Sequence, residues 1–326
     1  MSLKASRFAT LLLILLWSAF CIGIADISIG IFFRDRLVLH QDERNLTYRY
    51  DPKLGWFPIA HSKKIFAGNR TIHVEHNSRG FRDIEHIIDT RPRMMVLGDS
   101  FVWGYDVEQT ERFTDKLRAQ LTDWSIYNLG VSGYGTDQEY LLLKQQYDFY
   151  RPQIVFLLFC TDNDDADNAR NVRYGVYYKP YFIVSGAGLS LQGIPVPKSE
   201  NYFFAQHTLL AQSNWVRLFT RTYFILTAQP DYVAPKSPTR AILADMQRFI
   251  QSKGGQLIVG LQNSYPELEK FLNEQKIPYV DLTNPYRFPT QSRHWTPEGH
   301  TFVSEKIKEF LDNGHYLQTA AKKPSE

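Results

Sequence analysis

The stretch Met94-Met95-Val96-Leu97-Gly98-Asp99-Ser100 decides how this chain of 326 residues reads. Four apolar residues without alternation predict a strand buried on both faces, the pattern of a parallel sheet. Gly98 closes the run, and Phe113, Leu117 and Leu121, four apart, place a helix beyond it. The unit is strand, loop, helix, with a serine at the turn.

Working outward, the unit recurs. Ser125-Ile126-Tyr127-Asn128-Leu129 precedes a helix from about Asp137 to Tyr147, and Ile154 to Phe159 precedes an acidic loop. Further on come a helix near Arg240 to Gln251, a strand at Leu257-Ile258-Val259, a helix near Leu268 to Glu274 and a strand at Tyr279-Val280-Asp281. Thr296-Pro297-Glu298 announces a last helix. This alternation predicts an α/β fold, a three-layer α/β/α sandwich on a central five-stranded parallel sheet, with ligands at the carboxyl ends of the strands. Tyr177 to Lys198 interrupts it and reads as a β-hairpin turning at Ser185-Gly186-Ala187-Gly188, inside an insertion of about 170–235, placed to form a lid or substrate wall.

At the N-terminus, Lys4 and Arg7 precede an apolar run from Phe8 to Ala25 that resumes after Asp26 through Ile31, Phe32 and Phe33. Gly23-Ile24-Ala25 is a small-x-small site that a signal peptidase could cut, whereas the whole run, roughly 25 residues, is long enough to span a bilayer. The reading adopted is an uncleaved anchor over 1–36, a single pass through a bacterial inner membrane with the rest in the periplasm or outside; a cut after Ala25 would give a secreted protein. Residues 37–91 read as a β-rich lead-in packed on a main domain of 92–315, and 316–326 as a disordered tail. Cys21 and Cys160 are the only cysteines, the first inside the apolar run, so no internal disulfide joins them. The formal charge of +3, two units of it from Lys4 and Arg7, gives no reason to expect a nucleic acid.

Three loops should gather at one edge of the sheet: Gly98-Asp99-Ser100, Asn128 to Gly133, and Thr161-Asp162-Asn163-Asp164. Ser100 offers a hydroxyl beside a helix N-terminus, where developing negative charge is favoured. His294 sits just before the last helix, on a loop that can reach the first strand. These four blocks resemble the SGNH subgroup of the GDSL esterase and lipase superfamily, over about Met94 to Phe310. The resemblance implies the flavodoxin-like SGNH hydrolase fold, Ser100 as nucleophile, His294 as general base, and the Ser100 amide, Gly133 and Asn163 as oxyanion donors. Asn77-Ser78-Arg79-Gly80-Phe81-Arg82-Asp83 also resembles membrane-attached bacterial members. The family carries an aspartate three residues before its histidine, where this chain has Gln291, whose carbonyl can orient an imidazole but brings no charge. Asp281 and Glu298 are poor substitutes, and Asp99 reads as a structural support for the loop.

Other features carry less. Gly130, Gly133 and Gly135 lack dinucleotide-fingerprint spacing, so no nicotinamide cofactor is expected. His73 and His76 point to opposite faces of a strand and read as solvent-exposed; no metal is expected there. Asp162, Asp164, Asp165 and Asp167 read as a solvated loop at the mouth of the site, Cys160 as core, and His300 as a cap or packing residue. Trp103 and Trp295 line a sugar cleft or the core. The function expected is that of a serine esterase without cofactor, acting through an acyl-serine on O-acetyl groups of an envelope or extracellular glycan. The alternatives are an O-acetyltransferase on the same glycans, a lipase-like esterase with the hairpin as apolar wall, and a non-catalytic glycan-binding or scaffold subunit.

Overall fold

A computed structural model of the chain describes residues 3–38, 47–186, 188–290 and 293–321, so Ala187 and Gln291 lie outside the described residues. It divides into two compact units: Met1–Asn45 with Ser199–Gln229, and Leu46–Lys198 with Pro230–Glu326. The segment expected as one insertion, 170–235, is therefore split. Its middle belongs with the N-terminal helix and its ends with the main body.

In chain order, α1 (Leu3–Phe32) is followed by two antiparallel hairpins, β1 (Tyr48–Asp51) with β2 (Gly55–Pro58), and β3 (Lys63–Ala67) with β4 (Thr71–Glu75). Then come β5 (Arg93–Leu97), α2 (Ser100–Trp103), α3 (Phe113–Gln120), β6 (Ser125–Asn128), α4 (Thr136–Tyr150), β7 (Ile154–Phe159) and α5 (Asp164–Asn168). A short pair, β8 (Val172–Arg173) with β9 (Tyr177–Tyr178), leads to the hairpin β10 (Tyr181–Ser185) with β11 (Gly188–Gln192). The chain continues through α6 (Glu200–Gln206), α7 (Asn214–Thr227), α8 (Thr239–Ser252), β12 (Gln256–Leu261), α9 (Pro266–Glu274), β13 (Tyr279–Asp281), α10 (Pro297–Asn313) and α11 (Tyr316–Ala321).

The main sheet has the order β13-β12-β7-β5-β6, every pairing parallel. Strands β5, β6 and β7 are buried at every position, which is why Met94–Leu97 and Ile154–Phe159 are unbroken apolar runs instead of alternating ones. On one face, Met94, Val96, Ile126 and Phe156 pack with Phe113 and Leu117 of α3 and with Val303, Ile307 and Leu311 of α10. Helices α4 and α8 cover the other. Between β5 and β7 the winding reverses, and such a switch point opens a crevice at the strands' carboxyl ends. Ser100 follows β5 directly there.

Three expectations change. The hairpin β10–β11 docks on α4 and α8, with Phe182 against Tyr140 at 6.1 Å, because its apolar residues find those helix surfaces; it forms no lid. The tail continues as helix α11, with Tyr316 stacked on Phe310 at 5.3 Å. The helix that follows Ser100 is a single turn, ended by Gly104 at φ 88, so its dipole is small.

The lead-in is built into the main body by one buried cation. Arg82 donates to the carbonyls of His73 at 3.0 Å, Trp103 at 3.2 Å, Gly104 at 2.5 Å and Val107 at 2.8 Å. Its guanidinium lies over the Trp103 ring at 4.7 Å. A lysine ammonium has three donors and no planar fork, so it cannot replace this set. Arg82→Lys is expected to lower the unfolding free energy by about 3 kcal/mol in a urea titration, because buried carbonyls lose their partners. A loss under about 1 kcal/mol would contradict that account.

Candidate active site

Ser100 and His294 lie 194 residues apart and meet: His294 Nε2 is 2.7 Å from Ser100 Oγ. The serine is brought there by the sharp turn after β5. Asp99 caps that turn, its Oδ1 accepting from the Phe101 amide at 3.0 Å, so its role is structural. The histidine is delivered by the loop before α10, whose start is fixed by Pro297 and by the Thr296 hydroxyl accepting from the Gly299 amide. Its ring stacks on Tyr105 at 4.5 Å and tilts against Phe101 at 4.9 Å, which leaves it little freedom to turn.

His294 Nδ1 is buried without a hydrogen-bond partner. The nearest acid is Asp106, whose Oδ2 is 4.0 Å away and whose side chain is fully buried. Sequence reasoning missed this residue, because it sought the acid beside the histidine instead of six residues after the serine. Asp106 is placed by the turn that ends α2, where the Gly104 and Tyr105 amides both donate to the Ser100 carbonyl and Asp106 itself takes φ 65. The β3–β4 hairpin completes the arrangement. Asn69, at its tip, donates to Asp106 from its backbone at 2.8 Å and from Nδ2 at 2.5 Å, and Nδ2 also reaches the Thr290 hydroxyl at 3.1 Å. Gly68 is required beside it, since a Cβ there would come within 2.0 Å of Asp106 Oδ1.

The two expected oxyanion loops flank the serine. Val131 donates to the Gly98 carbonyl at 3.0 Å, which lays the 129–133 loop along the nucleophile turn, and Gly133 takes φ 82, a conformation that favours glycine. Gly130 permits the close approach: a Cβ there would stand 2.5 Å from the Trp103 amide nitrogen. Asn163 is oriented from both ends, its Oδ1 receiving the Cys160 thiol at 2.7 Å and its Nδ2 donating to Asp167 at 2.5 Å. Burial pushes the Cys160 thiol well up, so it keeps its proton and acts as a donor. An amide has two N–H bonds, and one remains after the Asp167 contact.

Several expectations are corrected. Asp164 and Asp167 are buried beneath the loop and only Asp162 is exposed. Burial and the neighbouring Asp99 and Asp167 raise the Asp164 carboxyl well above its usual range, and burial raises Asp99 to about 6. His73 is exposed, but His76 is buried and bonded to the Ser62 hydroxyl at 3.0 Å. Of the readings left open, the core alternative holds for Trp103 and Trp295, which are fully buried, and the packing one for His300, whose Nδ1 accepts from the Phe113 amide at 3.2 Å. Beside Asn163 opens a cavity of about 420 Å³ lined by Asp162, Asp167, Arg170, Arg173, Tyr174 and Tyr232 among others; no residue of the β10–β11 hairpin lines it.

No family model matches the chain, and no curated protein does. Solved structures that align with it include a lipolytic protein of the G-D-S-L family from Veillonella parvula, 14% identical, covering 67% of this chain and 96% of that one at a TM-score of 0.39. Another is a psychrotrophic esterase from a Pseudoalteromonas species, 10% identical, covering 69% and 98% at 0.40. A third is an acetylxylan esterase from Geobacillus stearothermophilus, 10% identical, covering 69% and 95% at 0.39. The reading of the site rests on its own geometry.

Burial, and after it the Arg287 charge, lower the His294 imidazole to about 4. A depressed histidine stays neutral as pH falls through the ordinary value of about 6.5 and takes its proton only near the lower one. Nitrogen-15 NMR should therefore find His294 neutral at about pH 5.5, where an unperturbed imidazole is mostly protonated. A charged ring at that pH would contradict the description of its surroundings.

Proposed function

We propose that the chain is a serine ester hydrolase in which Ser100 is the nucleophile, His294 the general base and Asp106 the group that orients the base. The 2.7 Å contact between His294 Nε2 and Ser100 Oγ carries this reading. To accept the serine proton at Nε2, the neutral ring must hold its own proton on Nδ1, and Asp106 is the carboxylate on that side. The 4.0 Å separation is one from which catalytic contacts tighten to a hydrogen bond when substrate binds.

In the reaction, Ser100 Oγ attacks the ester carbonyl as its proton passes to His294 Nε2. The oxyanion is held by the Ser100 amide, the Gly133 amide and the free N–H of Asn163. Collapse expels the alcohol, which takes the proton back from His294 and leaves an acyl-serine. Water, deprotonated by the same imidazole, then releases the acid and frees the serine.

The cavity beside Asn163, which neither Ser100 nor His294 lines, suits a polar, hydroxyl-rich carrier. Its lining of carboxylates, guanidinium groups and tyrosines matches hydroxyl groups better than a long alkyl chain. An O-acetylated glycan outside the cytoplasm fits that chemistry, and a sugar hydroxyl in place of water would make the same residues an acetyltransferase.

Helix α1 supports attachment to a membrane. Ser6–Phe32 is apolar and long enough to cross a bilayer, and no residue of its apolar window is buried. The Asp26 carboxylate, inside this run, accepts from the Ser213 hydroxyl at 2.8 Å and the Trp215 amide at 2.9 Å, holding the start of α7. The anchored protein would face the periplasm or the exterior.

Hydrolysis of p-nitrophenyl acetate should fall about a thousandfold or more in Ser100→Ala and His294→Ala, and about a hundredfold in Asp106→Asn. Gln291→Ala should change it little. Equal rates in wild type and Ser100→Ala would remove the enzyme reading, and a larger loss at Gln291 than at Asp106 would reassign the orienting group.

A further inference from the structure

Within the first unit, α7 starts against α1 deep in its apolar length. Besides the Asp26 carboxylate contacts, Asn214 Nδ2 donates to the Asp26 carbonyl at 3.0 Å, and Gly30 gives it room, since a Cβ there would stand 2.6 Å from that nitrogen. Asp26 lies six residues before Phe32, so the attachment is about 9 Å along the helix from the end of the span.

The side chains of α7 divide by face. Arg221 pairs with Glu200 of α6 at 2.7 Å, and Arg217 donates to the Ala211 carbonyl at 2.5 Å, so both cations turn toward the unit itself. Trp215, Phe219, Tyr223 and Leu226, spaced by four, four and three, form a stripe elsewhere on the helix. Phe219 is 65% exposed, Tyr223 62% and Leu226 79%, and Leu209, just before the helix, is 87%. Trp215 stacks on Phe219 at 5.6 Å, which stiffens the stripe. A continuous apolar strip of this kind marks an interaction surface.

We propose that α7 lies in the outer interface of the phospholipid bilayer that α1 crosses, with the stripe of Trp215, Phe219, Tyr223 and Leu226 buried among headgroups and upper acyl chains. The inference rests on α1 being a membrane span. Its occupant is argued from continuity, because the stripe begins where α7 meets a helix whose own apolar surface is bare, at a depth of about 9 Å, the depth to which interfacial helices sink. Tryptophan and tyrosine at its near end and middle suit that level, where an apolar ring and a polar tip are both satisfied.

The test uses the full chain with Cys21→Ala, leaving buried Cys160, reconstituted in phosphatidylethanolamine and phosphatidylglycerol vesicles. Single cysteines, Phe219→Cys, Leu226→Cys, Leu13→Cys within α1 and Ile65→Cys as an exposed control, are labelled with an environment-sensitive fluorophore and quenched by doxyl-lipids or by aqueous iodide. The expected result is that 219 and 226, like 13, are quenched more than twofold better by shallow doxyl-lipids than the control at 65, and are shielded from iodide. Lipid contact at 13 with iodide access at 219 and 226 overturns the proposal while leaving the span intact. Shielding of 219 and 226 from both quenchers assigns the stripe to a second protein copy and also overturns it. Absence of lipid contact at 13 as well removes the span and this inference together.

Discussion

The buried guanidinium of Arg82 is the constraint on which the site depends. It satisfies the carbonyls of His73, Trp103, Gly104 and Val107 at once, and so ties the β3–β4 hairpin to the turn that carries the nucleophile. A cation in an apolar interior is costly, and here the four contacts made by Nη1 and Nη2 offset that cost. Its neighbours repeat the logic. Asp83, fully buried, accepts from Arg118 at 2.8 Å, from Arg112 at 3.3 Å and from the Asn128 amide at 2.8 Å, and these charges hold its carboxyl well below the usual range although burial opposes them. The lead-in, the nucleophile turn and β6 are thereby one polar lattice, not a lead-in resting on a finished domain.

Two electrostatic environments follow from this packing. On the Ser100 side, His294 is kept neutral by burial and by Arg287, and among the described residues the acid facing it is Asp106, held in place by Asn69. On the far side of the nucleophile turn, Asp99 and Asp164 are raised by burial and by their carboxylate neighbours, which suits them to fix loops by hydrogen bonds. A neutral base is compatible with a nucleophile that must lose a proton only when substrate arrives.

The sheet was legible because its strands are continuous apolar runs, a pattern that parallel burial requires and that survives without any alignment. Ser100 and His294 were legible as residues at a strand end and before a helix. Asp106 was not, because it belongs to the site through a left-handed turn and a hairpin tip, and neither leaves a periodic signal. Polar residues buried by tertiary contact, such as Asp164, Asp167 and His76, read as solvated loop or surface for the same reason. The middle of the expected insertion was legible neither as helix nor as a partner of α1, since Asp26 inside an apolar run reads only as an interruption until its contacts with Ser213 and Trp215 are seen.

The central claim is that Ser100 is activated by His294 in the orientation set by Asp106. Reaction of the whole protein with a fluorophosphonate, followed by intact-mass and peptide mass spectrometry, tests it most directly, because the reagent forms a covalent phosphonyl-serine only with an activated hydroxyl. The account predicts one adduct, on Ser100, absent in His294→Ala and formed about a hundredfold more slowly in Asp106→Asn. No adduct on Ser100, or one that forms equally fast without His294, would contradict it.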